Sequence, residues 1–210
     1  MGSKRNLQKL TGIKLAEYLI NYMQHPLFAP QSNWRPPSQL PNFEKVIAID
    51  LETCDPNLKQ HGPGYKRNDG KVVGIAIADE HQEIYLPFDH LGGDNIDKKI
   101  VLSYVSNLVK NSSEILFANA AYDLGWLETL GISVSCPIRD VQIAEALIDE
   151  EQFSYSLNNL SKKYLKRTKF EEKLKEAAYA YDIDPKAEMY KLPAMYVGEY
   201  AERDAEVTLA

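Results

Sequence analysis

Apolar and polar positions along the chain follow two different periods. Three short runs rich in Val and Ile read as strands: Lys45–Ile49, Lys71–Ala78 ("KVVGIAIA") and Glu83–Pro87 ("EIYLP"). The polar tetrapeptide "DEHQ" between the last two is a hairpin signal. From about Asp97 to Lys110, the residues Ile100, Val101, Tyr104, Val105, Leu108 and Val109 recur at helical spacing. A fourth strand, Glu114–Asn119 ("EILFAN"), leads into a helix, "AAYDLGWLETL". After "ISVSCPIRD", helices are expected near Asp140–Ile148, Leu157–Leu165 and Phe170–Tyr181, with a last one from about Tyr196. Three strands followed by alternating helix and strand predict an α/β domain, a mixed central β-sheet flanked by helices.

Ahead of that domain, Leu7 to Met23 carries an approximate apolar stripe of Leu7, Leu10, Leu15, Leu19 and Tyr22, and residues 1–24 are expected to form a helical arm. Residues 25–43 hold five of the eleven prolines, Pro26, Pro30, Pro36, Pro37 and Pro41. Proline lacks the donor that a helix or central strand needs, so this stretch is expected to be an extended linker. The main domain is expected over 44–210. Its loop "CDPNLKQHGPGYKRNDG" is too long for a simple hairpin, and such loops are usually functional or disordered. The final "AERDAEVTLA" stops inside an apolar-periodic helix without a C-cap signal, so the domain is expected to be truncated there, with more protein following. The Met-Gly-Ser start is expected to be partly a tag.

Composition narrows the class. With 44% hydrophobic residues, the 210-residue chain can bury one ordinary core. Its net charge of −6 argues against a protein that grips a long duplex through phosphates. It leaves room for a strand end taken into a metal-containing pocket, because bound cations reverse the local field. Cys54 and Cys136 have neither metal nor disulfide spacing, which points to a reducing, cytoplasmic setting. No apolar run approaches the roughly 18 residues needed to span a bilayer, so no membrane partner is expected.

Chemistry enters through four acids and a tyrosine. Asp50 and Glu52 are two apart at the expected end of the first strand and so face the same side, roughly 6–7 Å apart at the backbone. Like charges that close resist joint ionisation unless something positive sits between them, and a hard divalent cation suits two carboxylates. A solvated or capping pair is the plain alternative. Asp123 interrupts the inward-packing segment "FANAAYDLGWL" beside Tyr122, as a cap or as a member of a buried polar site. Tyr200 and Asp204 lie one turn apart on one helical face, with Ala201 and Ala205 leaving space beside them. In isolation that pair also fits a surface hydrogen bond.

Taken in order, Asp-x-Glu on the first strand, "N-x-x-Y-D" after the fourth and Tyr-x-x-x-Asp at the close, the set resembles the DEDD superfamily of 3′→5′ exonucleases, tyrosine subtype. The histidine subtype would carry His where Glu199 stands. A particular likeness is to the proofreading exonuclease domain of phage-type family-A DNA polymerases. It runs through "IAIDLETCDPNLK", "GPGYKRNDGKVVGIAIA", "NLSKKYL" and "LPAMYVGEYAERDAEVTL", over about Asn33 to Ala210. The resemblance implies a ribonuclease H-like exonuclease fold and two Mg²⁺ or Mn²⁺ ions held by Asp50, Glu52, Asp123 and Asp204. It implies that Asp50 bridges the ions, that Glu52 and Asp204 help hold the one carrying the nucleophilic water, and that Asp123 serves the other. Tyr200, a neutral phenol at pH 7, would orient that water.

The implied substrate is a single-stranded or frayed DNA 3′ end, shortened by one nucleoside monophosphate at a time. The implied partner is a polymerase domain C-terminal to this chain, and a phage source would place both in the host-cell cytoplasm. Asn119 and Tyr122 fall on strand-contacting positions of the motif, although Tyr122 also reads as a packed core residue. Leu51 and Thr53, beside the acid pair, are candidates for holding the terminal nucleotide.

Two further readings use the same residues. An RNA-trimming exonuclease of the ribonuclease D type would share all four acids and the tyrosine, and no motif residue here tells ribose from deoxyribose. An inactive strand-binding domain is the other, and the presence of all four acids with Tyr200 argues against it. Lys66 and Arg67 are candidates for phosphate contact, and Lys162, Lys163, Lys166, Arg167 and Lys169 form either a phosphate patch or a solvated face. Asp140 is assigned only as the N-cap of "VQIAEALI".

Overall fold

The central strand β1, Val46–Cys54, has β2, Lys71–Ala78, antiparallel on one side and β4, Glu114–Phe117, parallel on the other. With β3, Glu83–Pro87, antiparallel to β2, and β5, Ile138–Asp140, parallel to β4, the sheet order is β3-β2-β1-β4-β5. The sheet is therefore mixed, as the order of patterns predicted. This computed structural model describes Pro26 and residues 29–167 and 171–210; the helical arm expected over residues 1–24 lies outside them. Among the described residues no helix is long and apolar enough to cross a membrane.

Two strand expectations change. β1 runs beyond Ile49 to Cys54, so Asp50 and Glu52 lie within the strand and not at its end. The reason is alternation: Leu51 keeps the buried face going while the acids take the other face. β5 went unrecognised because three residues are too few to show a period.

The helices are α1, Leu58–His61; α2, Lys98–Asn111; α3, Ala120–Thr129; α4, Val141–Ile148; α5, Leu157–Leu160; α6, Glu172–Ala180; and α7, Gly198–Leu209. Asp97 starts α2 by accepting from the Lys99 and Ile100 amides at 2.9 and 3.3 Å, and Val101, Val105 and Val109 then face inward at four-residue spacing. The single helix expected over Leu157–Leu165 divides, since α5 passes into a π-helical turn at Ser161–Leu165.

Each face of the sheet has its own core. On one, Ile47, Ile49 and Leu51 of β1 pack with Ile75, Ile77, Leu86 and Phe117 beneath α2 and α3, whose Trp126 and Leu127 close the layer. On the other, small residues dominate. Ala76 and Ala78 of β2 face Ala201 and Ala205 of α7, all fully buried. Side chains of this size let the helix axis come close to the sheet, and a larger residue would push it away.

The loop Cys54–Gly70 is ordered by its own polar groups. Asp55 Oδ2 accepts from the Gly64 amide at 3.0 Å, and Asn57 donates to Asp69 at 2.8 Å. Arg67 folds back along the loop's surface and donates to the carbonyls of His61, Gly62 and Pro63 at 2.7, 3.1 and 3.3 Å. Gly64 is required there, because a Cβ would stand 1.9 Å from the Asp69 carbonyl oxygen. The proline-rich stretch from residue 29 has neither helix nor strand, yet it is fastened to the domain. Ser32 donates to the Met195 carbonyl at 2.7 Å, and the Trp34 indole covers Gly198 at the start of α7.

Candidate active site

Asp50 and Glu52 share the face of β1 that α7 covers. Their partners across β2 are Ala76 and Gly74, the two small residues at this register. The register slips between Glu52 and Thr53, a bulge of the kind that re-aims side chains beside functional sites. Gly74 is fixed by its other neighbour, since a Cβ would come within 2.1 Å of the Tyr85 hydroxyl.

That phenol belongs to a polar pair which sequence patterns do not reveal. His90 Nδ1 lies 3.1 Å from the Leu192 carbonyl oxygen, which can only accept, so this nitrogen carries the proton. The other ring nitrogen, Nε2, therefore accepts from the Tyr85 hydroxyl at 2.7 Å. Burial pushes the His90 pKa down to about 4, so the ring is neutral at pH 7. Burial, and then the charges of Glu52 and Asp50, push the Tyr85 phenol well above its ordinary range. A neutral, fully bonded pair thus backs the two acids.

Asp123 lies in the first turn of α3, just beyond β4, and is 4% exposed. Burial raises its pKa well above the usual carboxylate range, followed by the like charges of Asp50, Glu52 and Asp140. α7 supplies the remaining groups. Asp204 is buried, and Tyr200 one turn earlier is hydrogen-bonded to it. The Tyr200 phenol is pushed up by burial, then by Asp204, Glu52 and Asp50. Residues expected together from β1, α3 and α7 therefore feel one another's charge.

Among the described residues, no three His, Cys, Asp or Glu side chains are gathered tightly enough to hold a metal ion as they stand. The donor set nevertheless fits a hard cation. It is all carboxylate oxygen, and it raises its own proton affinity at Asp123 in the way that a divalent ion would relieve.

The expected substrate contacts separate. Leu51 is turned into the main core beside Ile47 and Ile49 and is 7% exposed. That placement speaks against a nucleotide contact by its side chain; strand alternation turns it away from the acids. Thr53, Tyr122 and Asn119 stay near the surface. The Tyr122 hydroxyl donates to Asp55 Oδ2 at 3.2 Å and, having one proton, accepts from Thr53 Oγ1 at 2.8 Å. Burial pushes its pKa up to about 12.

Asn119 sits at φ 74° ahead of α3, a left-handed conformation that asparagine tolerates. Asp140 organises this corner as well as its own helix. It accepts from the Gln142 and Ile143 amides of α4 at 2.9 and 3.3 Å, and from the Ala120 and Asn119 amides at 2.7 and 3.3 Å. Its second role could not be read from sequence, because Ala120 is twenty residues away.

The basic candidates are largely occupied. Arg67 is the loop staple described above, Arg167 pairs with Glu206 at 2.7 Å, and Lys163 pairs with Glu145 and Asp149 at 2.6 and 2.8 Å. Lys66 remains at the surface, 4.0 Å from Glu128. Lys169 lies outside the described residues.

A family model described as 3′-5′ exonuclease matches residues 38–210. A DNA-directed DNA polymerase of Pseudomonas phage M6 is 40% identical over 200 residues, an alignment covering 90% of this chain and 30% of that protein. The DNA polymerase DpoZ of Salmonella phage PMBT28 is 30% identical over 178 residues, covering 81% of this chain and 26% of the relative. The chain thus spans under a third of either relative. Among solved structures, Brucella melitensis NrnC with bound Mg²⁺ superposes with a TM-score of 0.53 at 16% identity, covering 83% of this chain and 73% of that one. At that identity the likeness concerns the fold alone, which in this chain is a five-stranded mixed sheet flanked by helices.

Proposed function

The chain belongs to the 3′-5′ exonuclease family, and from that premise we propose that it removes nucleotides one at a time from the 3′ end of single-stranded or frayed DNA. We further propose that it does so as the proofreading part of a longer phage-type DNA polymerase in the host-cell cytoplasm. One observation carries the site assignment: Asp50 and Glu52 on β1 raise the proton affinity of both Asp123 on α3 and Tyr200 on α7. That mutual influence among three elements remote in sequence supports reading them as one site.

Asp50, Glu52, Asp123 and Asp204 are the groups that would hold a pair of Mg²⁺ or Mn²⁺ ions. Such ions supply charge neutralisation at the phosphate and a more acidic water. The chain's own residues do the rest. Tyr200 keeps its proton at working pH, because burial and three carboxylates oppose its ionisation. It therefore orients the attacking water by hydrogen bonding and does not abstract a proton. Water attacks phosphorus, the 3′ oxygen of the preceding nucleotide leaves with a proton, and a nucleoside 5′-monophosphate is released. Frayed ends enter first, since their bases are already unpaired.

The test uses 5′-labelled single-stranded DNA and a matched RNA, with Mg²⁺, Mn²⁺ or EDTA, on the wild type and on Asp50→Ala, Glu52→Ala. A metal-dependent ladder from the 3′ end of DNA is expected, reduced roughly 10³-fold or more in the double variant. Faster shortening of RNA would assign the chain to ribonuclease work. No shortening of either strand would overturn the catalytic reading.

A further inference from the structure

Helix α4 is inverted. Only its Glu145 is buried, while Ile143, Leu147 and Ile148 are exposed, Leu147 by 84%. A surface helix normally does the opposite and turns its apolar stripe to the core. Here polar contacts hold the inward side. Glu145 pairs with Lys163 at 2.6 Å, accepts from the Tyr164 hydroxyl at 2.6 Å and is bonded to Gln152. Ile143 and Leu147, four apart, share the outer face, and Phe153 just past the helix is exposed as well. None of these four side chains belongs to either core of the described residues. Exposed apolar side chains gathered in this way mark a contact surface.

Charge and reach select the occupant. The exposed acids Glu150 and Glu151 follow α4 directly. Residues 1–24 carry Lys4, Arg5, Lys9 and Lys14 against one acid, Glu17, in a chain of net charge −6. The same stretch places Leu15, Leu19 and Tyr22 at helical spacing. An apolar stripe with cations complements an apolar face with acids, whereas a second copy would bring the same acids and the same net charge. The chain is also long enough. Ser32 is fixed to Met195 just before α7, and Glu206, which pairs with Arg167, lies about 12 Å along that helix. α5 touches both α7 and α4, so α4 follows within two helix spacings of roughly 10 Å each. Residues 23–31 can span up to about 30 Å.

We propose that the segment from Leu7 to Tyr22 docks on α4, with Leu15, Leu19 and Tyr22 against Ile143, Leu147 and Ile148 and its lysines towards Glu150 and Glu151. The contact gives the N-terminal arm a task that does not depend on how the four acids are used. Asp140 caps α4 and also holds the Asn119 and Ala120 amides. An arm seated on α4 therefore braces the corner from which α3 starts.

Amide hydrogen exchange on the full chain tests the contact from both sides, with the amides of β1 as the internal measure of folding. Leu15→Ser, Leu19→Ser removes the stripe, and Ile143→Ser, Leu147→Ser removes the face. The stripe variant should speed exchange in α4 on the order of tenfold, and the face variant should speed exchange in residues 7–22 by a similar factor. All four substitutions together should add little to either pair. Lys9→Glu, Lys14→Glu should speed exchange in both segments at low salt, and adding Glu150→Lys, Glu151→Lys should restore it. Exchange in one segment that ignores substitution of the other overturns the contact. Sedimentation over a range of concentrations checks the remaining occupant. A dimer that the face variant dissociates and the stripe variant leaves intact assigns α4 to a second copy and overturns the proposal. Should the serine variants also speed exchange in β1, the charge reversal decides, and failure of its rescue overturns the contact.

Discussion

Glu202 is a carboxyl on α7 whose charge state depends on how that helix is buried against the sheet. Its Oε1 accepts from the Tyr85 amide at 3.0 Å, and burial raises its pKa to about 7 against the opposing pull of hydrogen bonds from Trp34 and Tyr85. A folded-state pKa above the unfolded value means stability that is full below the ordinary carboxylate range and is lost as pH rises through about 7. His90 runs the other way: depressed to about 4, it contributes stability above its ordinary value that is lost as pH falls through 4. Glu202→Gln keeps an oxygen acceptor for Tyr85 and removes one of these two titrations. Against wild type in urea melts, it should be about equal at pH 4.5 and more stable at pH 8, by about 2 kcal/mol after allowing for partial exposure. A difference that does not change with pH would show that Glu202 titrates normally. The proposed pairs Asp50/Glu52 and Tyr200/Asp204 could be drawn from sequence because a spacing of two on a strand or four on a helix encodes a shared face, whereas Asp123 joined them only through the family resemblance. Tyr85, His90 and Asp55 were not, since their roles depend on burial and on partners such as Leu192, which is 102 residues from His90.

At the level of elements, the corner between β4, α3, β5 and α4 decides where Asp123 points. One carboxylate, Asp140, starts α4 and also holds the two amides that begin α3. A lost N-cap typically costs about 1 kcal/mol, and Asp140→Ala removes two such contacts, so a loss of about 2 kcal/mol is expected. Because α3 carries Asp123, shortening of DNA 3′ ends should slow by a larger factor than the stability loss explains at a temperature where the variant is fully folded. Asp140→Asn, which keeps one acceptor oxygen, should lie between. Stability lost at unchanged rate would show that Asp123 is placed without help from this cap. The same corner marks the limit of sequence reading for elements. Residue patterns placed α2, α3 and α4 to within a residue or two: α2 repeats a buried face of Val101, Val105 and Val109, whereas in α4 only Glu145 is buried and the Asp140 cap marks the start. β5 has three residues and no repeat, and the extension of β1 was hidden because Asp50 and Glu52 interrupt the apolar run that would have signalled it.

Across the whole molecule, the chief imbalance is electrostatic. A chain of net charge −6 places Asp50, Glu52, Asp123 and Asp204 in one partly buried region, where Asp123 resists ionisation. Folding therefore works against this cluster at neutral pH, and a divalent cation that binds the folded state alone should return stability in proportion to RT ln(1 + [M]/Kd), about 2.7 kcal/mol at a hundredfold excess over Kd. Simple screening predicts something different: monovalent salt would act equally well at matched ionic strength, and removal of the acids would change little. Thermal melts in EDTA, in Mg²⁺ and in NaCl at matched ionic strength distinguish the two. The wild type should melt several degrees higher in Mg²⁺ than in NaCl, and EDTA should reverse the gain. The Asp50→Ala, Glu52→Ala variant should melt above the wild type in EDTA, since like charges have been removed, and should gain nothing specific from Mg²⁺. An equal rise for both proteins in Mg²⁺ would mean that the cluster is held together by its neighbours in the fold and not by metal. The crossing of the two proteins' melting temperatures between EDTA and Mg²⁺ is the signature to look for, because a purely structural role for the acids gives no reason for the order to invert.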